Sequence, residues 1–231
     1  MLSLSNMPQY LVRLLVPAGL QPLVFSMRAQ GQHPCVRVRV PLYGLQRAGF
    51  DYEATRDVII HPGAVAVIAL DDDDRILLIR QYRHPVAMYM FEPPAGLLDT
   101  AGESPLETAK RELAGEAGVR ASQWNVLVDL FNSPGGSSEA IRVFLARDLE
   151  ALPAGRPHTG EAEEAHLPQA WVPLAEAVDL VLHGRVGSPS AVAGILALAA
   201  FPSRHEGDLR PANDPWNARA WLEANSRVRR V

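Results

Sequence analysis

Apolar runs in the middle of the chain alternate with short polar or glycine-containing segments. Ala64 to Leu70 and Ile76 to Ile79 are apolar runs separated by four aspartates, which predicts a hairpin with a charged turn. The same pattern predicts strands at Val126 to Leu130, Ile141 to Ala146 and Gln169 to Leu174.

Helical patterns follow some of these strands. Apolar residues at helical spacing predict one helix from Leu174 to Leu182, and an alanine-rich apolar stretch predicts a packed helix from Ser190 to Ala200. Strands mixed with a few helices in this way indicate an α/β sandwich.

The clearest local signals lie between residues 104 and 118. Ser104 is a helix N-cap candidate, Pro105 suits the first helical position, and Glu107 could close a capping box. Gly118 is the expected helix stop. A short helix is therefore predicted between these two ends.

This helix carries carboxylates that suit metal chemistry. Glu112 and Glu116 are four residues apart, so they lie side by side along the helix edge, and Glu103 comes just before the cap. Three carboxylates converging near the helix start would suit a hard cation such as Mg²⁺. The alternative is a solvated acidic helix edge without a ligand.

The spacing around these residues resembles the Nudix box. The positions in register are Glu103, Arg111, Glu112, Leu113, Glu116, Gly118 and Val119. Two departures stand out. Six residues separate Gly96 from Glu103 where the family has five, and Gly115 replaces the first glutamate of the family's Glu-Glu pair. Glycine inside a helix costs about 1 kcal/mol relative to alanine, so local folding does not favour it.

The resemblance extends outside the box, over roughly residues 55 to 200. The segments 61–70 and 75–83, the entry Glu92-Pro93-Pro94-Ala95-Gly96 and the loop 133–139 are similar to those of ADP-ribose pyrophosphatases. Gly136 and Ser138 depart from that loop's usual aromatic and acidic residues. The resemblance implies a Nudix-type α/β/α sandwich, with a mixed β-sheet between helices and the box helix on one face.

The resemblance also implies a metal site. Glu112 and Glu116 would be the main ligands of Mg²⁺, with Mn²⁺ as an alternative ion. The backbone carbonyl of Ala95 would add a ligand, and Glu103 would add a direct or water-mediated one. Arg111 would orient the carboxylates through an ion pair, or it would simply be solvated.

The remaining roles implied by the resemblance are a general base and substrate contacts. The base is expected on the acidic loop from Leu152 to Leu167, with Glu164 as the first choice, Glu163 as the second and Glu161 as a distant third. Substrate contacts are expected from Arg83, Glu92 and Glu139. Arg83 could instead pair with an acidic neighbour at the end of the sheet.

Composition limits the function classes. The chain has 231 residues, 48% hydrophobic and 21% charged, which is enough for one domain with extensions. Its formal charge of −4 gives no basic footprint for nucleic acid. Cys35 is the only cysteine, so no internal disulfide forms and a reducing cytoplasm is expected.

The ends of the chain carry weaker signals. Arg13, Pro17 and Pro22 interrupt the apolar stretch from Leu11 to Met27, which argues against a membrane span. No basic region precedes this stretch and no clear small-residue cleavage site follows Phe25, which argues against a signal peptide. The expected organisation is an N-terminal arm over 1–35, N-terminal strands over 36–55, a Nudix domain over 56–201 and a polar tail over 202–231. By resemblance, the segment 36–55 would exchange between the subunits of a homodimer.

Two main function hypotheses follow. The first is a Mg²⁺-dependent enzyme that hydrolyses the diphosphate of ADP-ribose, or of a related nucleoside diphosphate sugar. The second is a catalytically weak Nudix module that binds or senses such ligands, as the loss of a carboxylate at Gly115 would suggest. A weaker third option is an enzyme for a dinucleotide or a coenzyme A derivative.

Overall fold

The computed structural model describes residues 35–41, 53–156, 167–201 and 209–225. The chain divides into two units, Met1–Asp57 and Val58–Val231. Strand β1 (Cys35–Pro41) pairs with β2 (Glu53–Ile59) in a two-stranded sheet. This is the region where the sequence predicts N-terminal strands.

The second unit contains the remaining elements. Its strands are β3 (Ala64–Ala69), β4 (Arg75–Arg83), β5 (Met88–Glu92), β6 (Ala95–Leu97), β7 (Val119–Phe131), β8 (Ala140–Ala151), β9 (Gln169–Pro173) and β10 (Arg210–Pro211). Its α-helices are α1 (Pro105–Glu112), α2 (Leu174–Leu182), α3 (Pro189–Ala200) and α4 (Asn217–Asn225). A 3₁₀ turn (His84–Val86) joins β4 to β5, and a π-helical segment (Leu113–Ala117) continues α1.

These strands form two sheets. The larger sheet has the order β10-β7-β8-β3-β6, in which β3 and β8 are parallel and the other pairs are antiparallel. The smaller sheet has the antiparallel order β5-β4-β9. The larger sheet is therefore mixed, as predicted.

Strand β3 lies at the centre of the hydrophobic core because both of its faces are covered. All six of its residues are buried. Ala66 and Ile68 face a cluster that includes residues of α2 and α3, while Val65 and Val67 face a cluster that includes residues of α1. Alternate strand residues point to opposite faces, so helices cover both sides of the sheet. This confirms the predicted α/β/α sandwich.

Helix α3 approaches β3 closely at Gly194. A Cβ atom built there would lie 2.8 Å from side-chain atoms of Ile68. A larger residue would force either the buried Ile68 side chain or α3 to shift, so glycine suits the close packing at that point.

The predicted hairpin between the first two apolar runs is correct only at its turn. Asp71 N–H donates to the Arg75 carbonyl at 3.0 Å, and Leu70 forms an isolated antiparallel bridge with Ile76. Beyond this point β3 and β4 belong to different sheets. Strand β3 pairs with β6 and β8, whereas β4 pairs with the next strand, β5, and with the distant β9, and local pattern does not reveal this division.

Part of the predicted polar C-terminal tail is integrated into the larger sheet. Strand β10 pairs with β7, with Arg210 opposite Val126. Arg210 Nη1 also donates to Asp129 Oδ2 on β7 at 2.8 Å. Residues 209–225 are thus attached to the sheet rather than free of it.

Candidate active site

The helical path formed by α1 and the segment after it begins at Pro105 and stops at Gly118, as the sequence predicts. Ser104 has an extended backbone, and its hydroxyl accepts a 3.2 Å hydrogen bond from Glu107 N–H. The reciprocal half of the predicted capping box is not seen in this described segment, because the Glu107 carboxylate pairs with Lys110 at 2.9 Å. Gly118 ends the helical path in the left-handed conformation, with φ of 68°.

The last turn differs from the prediction because Leu113–Ala117 is π-helical. Such widened turns often occur at functional sites. Gly115 lies in this segment, and a Cβ atom there would meet nothing within 4 Å. The absence of a side chain at 115 is therefore not required by packing.

Arg111 joins two of the predicted metal ligands. Its Nε and Nη2 donate to the two carboxylate oxygens of Glu103 at 3.0 Å each, and its Nη1 donates to Glu112 Oε1 at 2.6 Å. The bidentate pair is a strong geometry for guanidinium and carboxylate. Arg111 therefore holds Glu103 and Glu112 on one side of α1, as the ion-pair interpretation of Arg111 expects.

These contacts shift the acidity of the groups. Hydrogen bonds from Arg111 lower the pKa of Glu103 below its ordinary value, and a 2.9 Å bond from the buried Thr108 hydroxyl adds to this against the opposing effect of burial. The same pairing with Glu103, supported by Glu112, raises the pKa of Arg111. Glu103 and Arg111 are consequently both charged at neutral pH.

The third carboxylate is held by the loop before the helix. Glu116 is only 5% exposed, and its Oε2 accepts a 2.9 Å hydrogen bond from Ala95 N–H. Next to Ala95, Gly96 packs against Glu112 so tightly that an added Cβ would overlap the Glu112 carboxylate. The Ala95-Gly96 backbone thus contacts both glutamates of the helix.

The donor chemistry of this site fits a hard divalent cation. Glu103, Glu112 and Glu116 offer carboxylate oxygens, and with Arg111 they leave a net negative charge. Among the described side chains, no three His, Cys, Asp or Glu residues converge as a ready metal-binding group. The physical reason is that Arg111 lies between Glu103 and Glu112, while Glu116 faces a backbone amide.

The end of the helix is bound by two side chains that the sequence analysis did not identify. Arg156 Nε donates to the Gly115 carbonyl at 2.9 Å, and Gln169 Nε2 donates to the carbonyls of Glu116 and Ala117 at 3.1 and 3.2 Å. No local signal could have indicated these contacts, because the partners are 41 to 53 residues apart. Thr108, whose hydroxyl donates to Glu103 Oε2, was also missed.

Two of the predicted substrate-binding residues contact each other. Arg83 Nε donates to Glu92 Oε2 at 2.7 Å across the β4–β5 hairpin. Glu92 is 7% exposed, whereas the Arg83 side chain is 43% exposed. The sequence left open that Arg83 pairs with an acidic residue instead of binding substrate. It does form such a pair, and its partner is Glu92, which was itself predicted to contact the substrate.

The third predicted substrate contact belongs to a separate small network. Glu139 Oε2 accepts a 2.6 Å bond from Asn132, and its Oε1 lies 3.6 Å from His61 Nε2. His61 Nδ1 accepts from Gly63 N–H at 3.1 Å, so a neutral His61 carries its proton on Nε2, facing Glu139. The general-base candidates Glu163 and Glu164 lie outside the described residues.

Comparison with known proteins identifies the family. Residues 60–191, more than half of the chain, match the model of the NUDIX domain. The chain is a member of the Nudix family. The matched range contains the whole carboxylate site on α1 and the π-helical segment.

Curated relatives agree with this assignment. The chain is 44% identical to an ADP-ribose pyrophosphatase of Mycobacterium tuberculosis over 176 residues, covering 76% of this chain and 83% of the relative. It is 41% identical to an ADP-ribose pyrophosphatase of Bacillus subtilis over 97 residues, covering 42% of this chain and about half, 52%, of that relative. This Nudix protein is accordingly a pyrophosphohydrolase.

A solved structure supports the fold. The crystal structure of an ADP compounds hydrolase superposes with a TM-score of 0.62 at 24% identity, covering 89% of this chain and 95% of that one. Among the described helices, none has the length and apolar character needed to cross a membrane.

Proposed function

We propose that this Nudix protein hydrolyses the diphosphate of ADP-ribose, or of a related nucleoside diphosphate sugar, with Mg²⁺ and releases AMP and ribose 5-phosphate from ADP-ribose. The observation that carries the proposal is the carboxylate site itself, in which Arg111 bonds to Glu103 and Glu112 while the Ala95-Gly96 backbone contacts Glu112 and Glu116. The 44% identical relative from M. tuberculosis supports the choice of substrate.

Residues of α1, of the π-helical segment and of the loops before α1 would hold the cation. Glu112, Glu116 and the Ala95 carbonyl would be ligands, with Glu103 adding a direct or water-mediated contact, and Mn²⁺ is an alternative ion. A bound Mg²⁺ would offset negative charge on the diphosphate. Arg111 would position Glu103 and Glu112 rather than contact the substrate, because its N–H groups already donate to those carboxylates.

Hydrolysis needs a group that accepts a proton from the attacking water as a P–O bond of the diphosphate breaks. We assign this role to Glu164, with Glu163 as the second candidate. Glu164 is five residues before Gln169 in the chain. Gln169 itself donates to the backbone carbonyl of Glu116.

Arg83, Glu92 and Glu139 are proposed to contact the substrate. Arg83 and Glu92 form one polar unit on the β4–β5 hairpin, so a ligand would meet them as a pair. Glu139 has a fixed position between Asn132 and His61.

We also propose a cytoplasmic homodimer. The exposed apolar side chains of the β4–β5 hairpin, including Tyr89 and Met88, are consistent with a partner surface.

A second candidate function, a module that binds ADP-ribose without efficient turnover, is favoured by one observation. Gly115 stands where the family has a further carboxylate, and the space around it is open. If this loss limits the protein, Gly115→Glu should increase metal affinity or turnover. Unchanged values would show that glycine is tolerated there.

The test is AMP release from ADP-ribose by the purified chain, with Mg²⁺ and then with excess chelator, beside a panel of nucleotide sugars and dinucleotides. Glu112→Gln should abolish turnover. Glu164→Gln should lower kcat by about 10²–10⁴-fold, the usual contribution of a general base, while Mg²⁺ affinity stays near normal. Glu107→Gln is the matched control, because Glu107 lies on the same helix but pairs with Lys110.

Metal-dependent turnover that prefers ADP-ribose would support the enzyme. Tight ADP-ribose binding without turnover would instead support the binding module. Full activity of Glu164→Gln across pH would show that the base lies elsewhere.

A further inference from the structure

The carbonyl end of the helix that carries Glu116 needs hydrogen-bond donors. The last carbonyls of a helix have no partners within the helix. Here the path ends at Gly118, and Gly118 N–H reaches only the Ala114 carbonyl. The next three carbonyls accept hydrogen bonds from side chains; they belong to Gly115, Glu116 and Ala117.

Those donors come from two places far along the chain. Arg156 Nε donates to Gly115, and the two hydrogens of the Gln169 amide suit the neighbouring carbonyls of Glu116 and Ala117. Arg156 is further fixed by the chain, since the Gly118 carbonyl accepts from Leu152 N–H and the Gly155 N–H donates back to Leu152. Gln169 is the first residue of β9 and pairs with Ile79 of β4.

The same residue, Glu116, is held from both sides. Its backbone carbonyl accepts from Gln169 at 3.1 Å, and its carboxylate accepts from Ala95 N–H at 2.9 Å. A π-helical turn is wider than an α-helical one and is uncommon in helices, so its geometry depends on contacts from outside the helix. A shift of the Glu116 backbone would move the carboxylate relative to Glu112.

We propose that Gln169, supported by Arg156, is a positioning residue that fixes the Glu116 backbone and thereby sets the affinity of the carboxylate site for divalent cations. The inference rests on the proposed function for its metal. It adds two residues outside the Nudix box to the machinery of the site.

The test measures cation binding without substrate. Mn²⁺ binding to the purified full-length chain is followed by electron paramagnetic resonance of the free ion, and Mg²⁺ dependence of turnover is measured separately. Gln169→Met keeps the length of the side chain but removes both donors, and should weaken Mn²⁺ affinity by about 10-fold, the lower end for losing a group that orients metal ligands. The apparent KM for Mg²⁺ should rise, while kcat at saturating Mg²⁺ changes much less.

Three further variants separate positioning from general stability. Gln169→Glu has nearly the same shape but sets a carboxylate against two carbonyls, so it should be at least as impaired as Gln169→Met. Arg156→Met should also weaken Mn²⁺ binding, and Arg156→Lys, which keeps an N–H donor, should restore part of it. Gln123→Met is the matched control, because the exposed Gln123 amide bonds to Asp148 on the β7–β8 ladder.

A lower melting temperature with unchanged Mn²⁺ affinity in Gln169→Met would mean a purely structural role and would overturn the inference, leaving the proposed function intact. Weakened Mn²⁺ binding in a protein that does not hydrolyse ADP-ribose would support the inference and overturn the proposed activity.

Discussion

At the scale of single residues, two glycines near the carboxylates differ in what they allow. An added Cβ at Gly96 would overlap the Glu112 side chain, whereas one at Gly115 would meet nothing within 4 Å. Neither residue has a positive φ. The backbone conformation therefore allows alanine at both positions. Only the neighbouring atoms determine whether the substitution is tolerated.

We expect Gly96→Ala to fold normally but to lose most activity, since the end of a flexible Glu112 side chain can move aside and a metal ligand is then displaced. Gly115→Ala, the matched control, should keep its activity. It should raise the free energy of unfolding by about 0.5–1 kcal/mol, because alanine has less freedom than glycine in the unfolded chain. Turnover and thermal unfolding of both variants check this. Full activity in Gly96→Ala would mean that the Glu112 position is not critical.

At the scale of elements, the junction between the π-helical segment and β7 is built around Gly118. Its φ of 68° is a left-handed conformation, and a Cβ there would lie 2.9 Å from the backbone nitrogen of Arg156. The helix end, the start of β7 and the chain around Arg156 therefore meet at a point that only glycine fits.

Gly118→Ala should be destabilising by more than about 1 kcal/mol, because both the backbone conformation and the contact oppose it and backbone atoms cannot move aside cheaply. Chemical denaturation measures the change. Gly102→Ala is a useful comparison, since Gly102 also has a positive φ, 81°, but no neighbour within 4 Å. Equal losses in the two variants would mean that conformation alone, and not the Arg156 contact, sets the cost.

At the scale of the whole second unit, a charged network joins the C-terminal elements to the sheet. Arg142 is 3% exposed, pairs with both carboxylate oxygens of Asp129 at 2.8 and 3.0 Å, and lies 4.8 Å from the Trp216 ring centre. Arg210 donates to Asp129 and Asp214. Burial raises the pKa of Asp129, but hydrogen bonds from Arg142 and Arg210 outweigh it and hold that pKa below its ordinary value.

Because the pKa of Asp129 is lower in the folded chain than in the unfolded one, its stabilising effect is present above the unfolded pKa. It is lost as pH falls from that value, near 3.8, through the folded pKa. Asp129→Asn should lower the free energy of unfolding at pH 7 by about 3 kcal/mol, since it leaves Arg142 buried without its counter-ion.

Below about pH 4 the free energy of unfolding of Asp129→Asn should also fall less steeply with pH than that of the wild type. Urea denaturation at pH 7 and between pH 5 and 3 checks both effects. The control is Asp148→Asn, an exposed carboxylate bonded to Ser122 and Gln123. If the two variants behaved alike, the network would contribute little to stability.

Features that depend on neighbouring residues could be predicted from the sequence. The start of α1 at Ser104 and Pro105, the stop of the following π-helical segment at Gly118 and the bounds of α2 follow from capping chemistry and helical spacing, which act within a few residues. The carboxylates of the site could be identified for the same reason, because their spacing is a property of one helix. The family also follows from this ordered series of local motifs.

Features that depend on contacts between distant parts of the chain were revealed only by the tertiary structure. No local pattern encodes the division of β3 and β4 between two sheets, the donors Arg156 and Gln169, or the contact of Asp129 with Arg210. The π-helical turn belongs to this group, since outside contacts meet its carbonyls. The sequence by itself therefore determined which residues carry the chemistry, while packing between distant segments decided how they are held, because hydrogen bonds and burial act through space rather than along the chain.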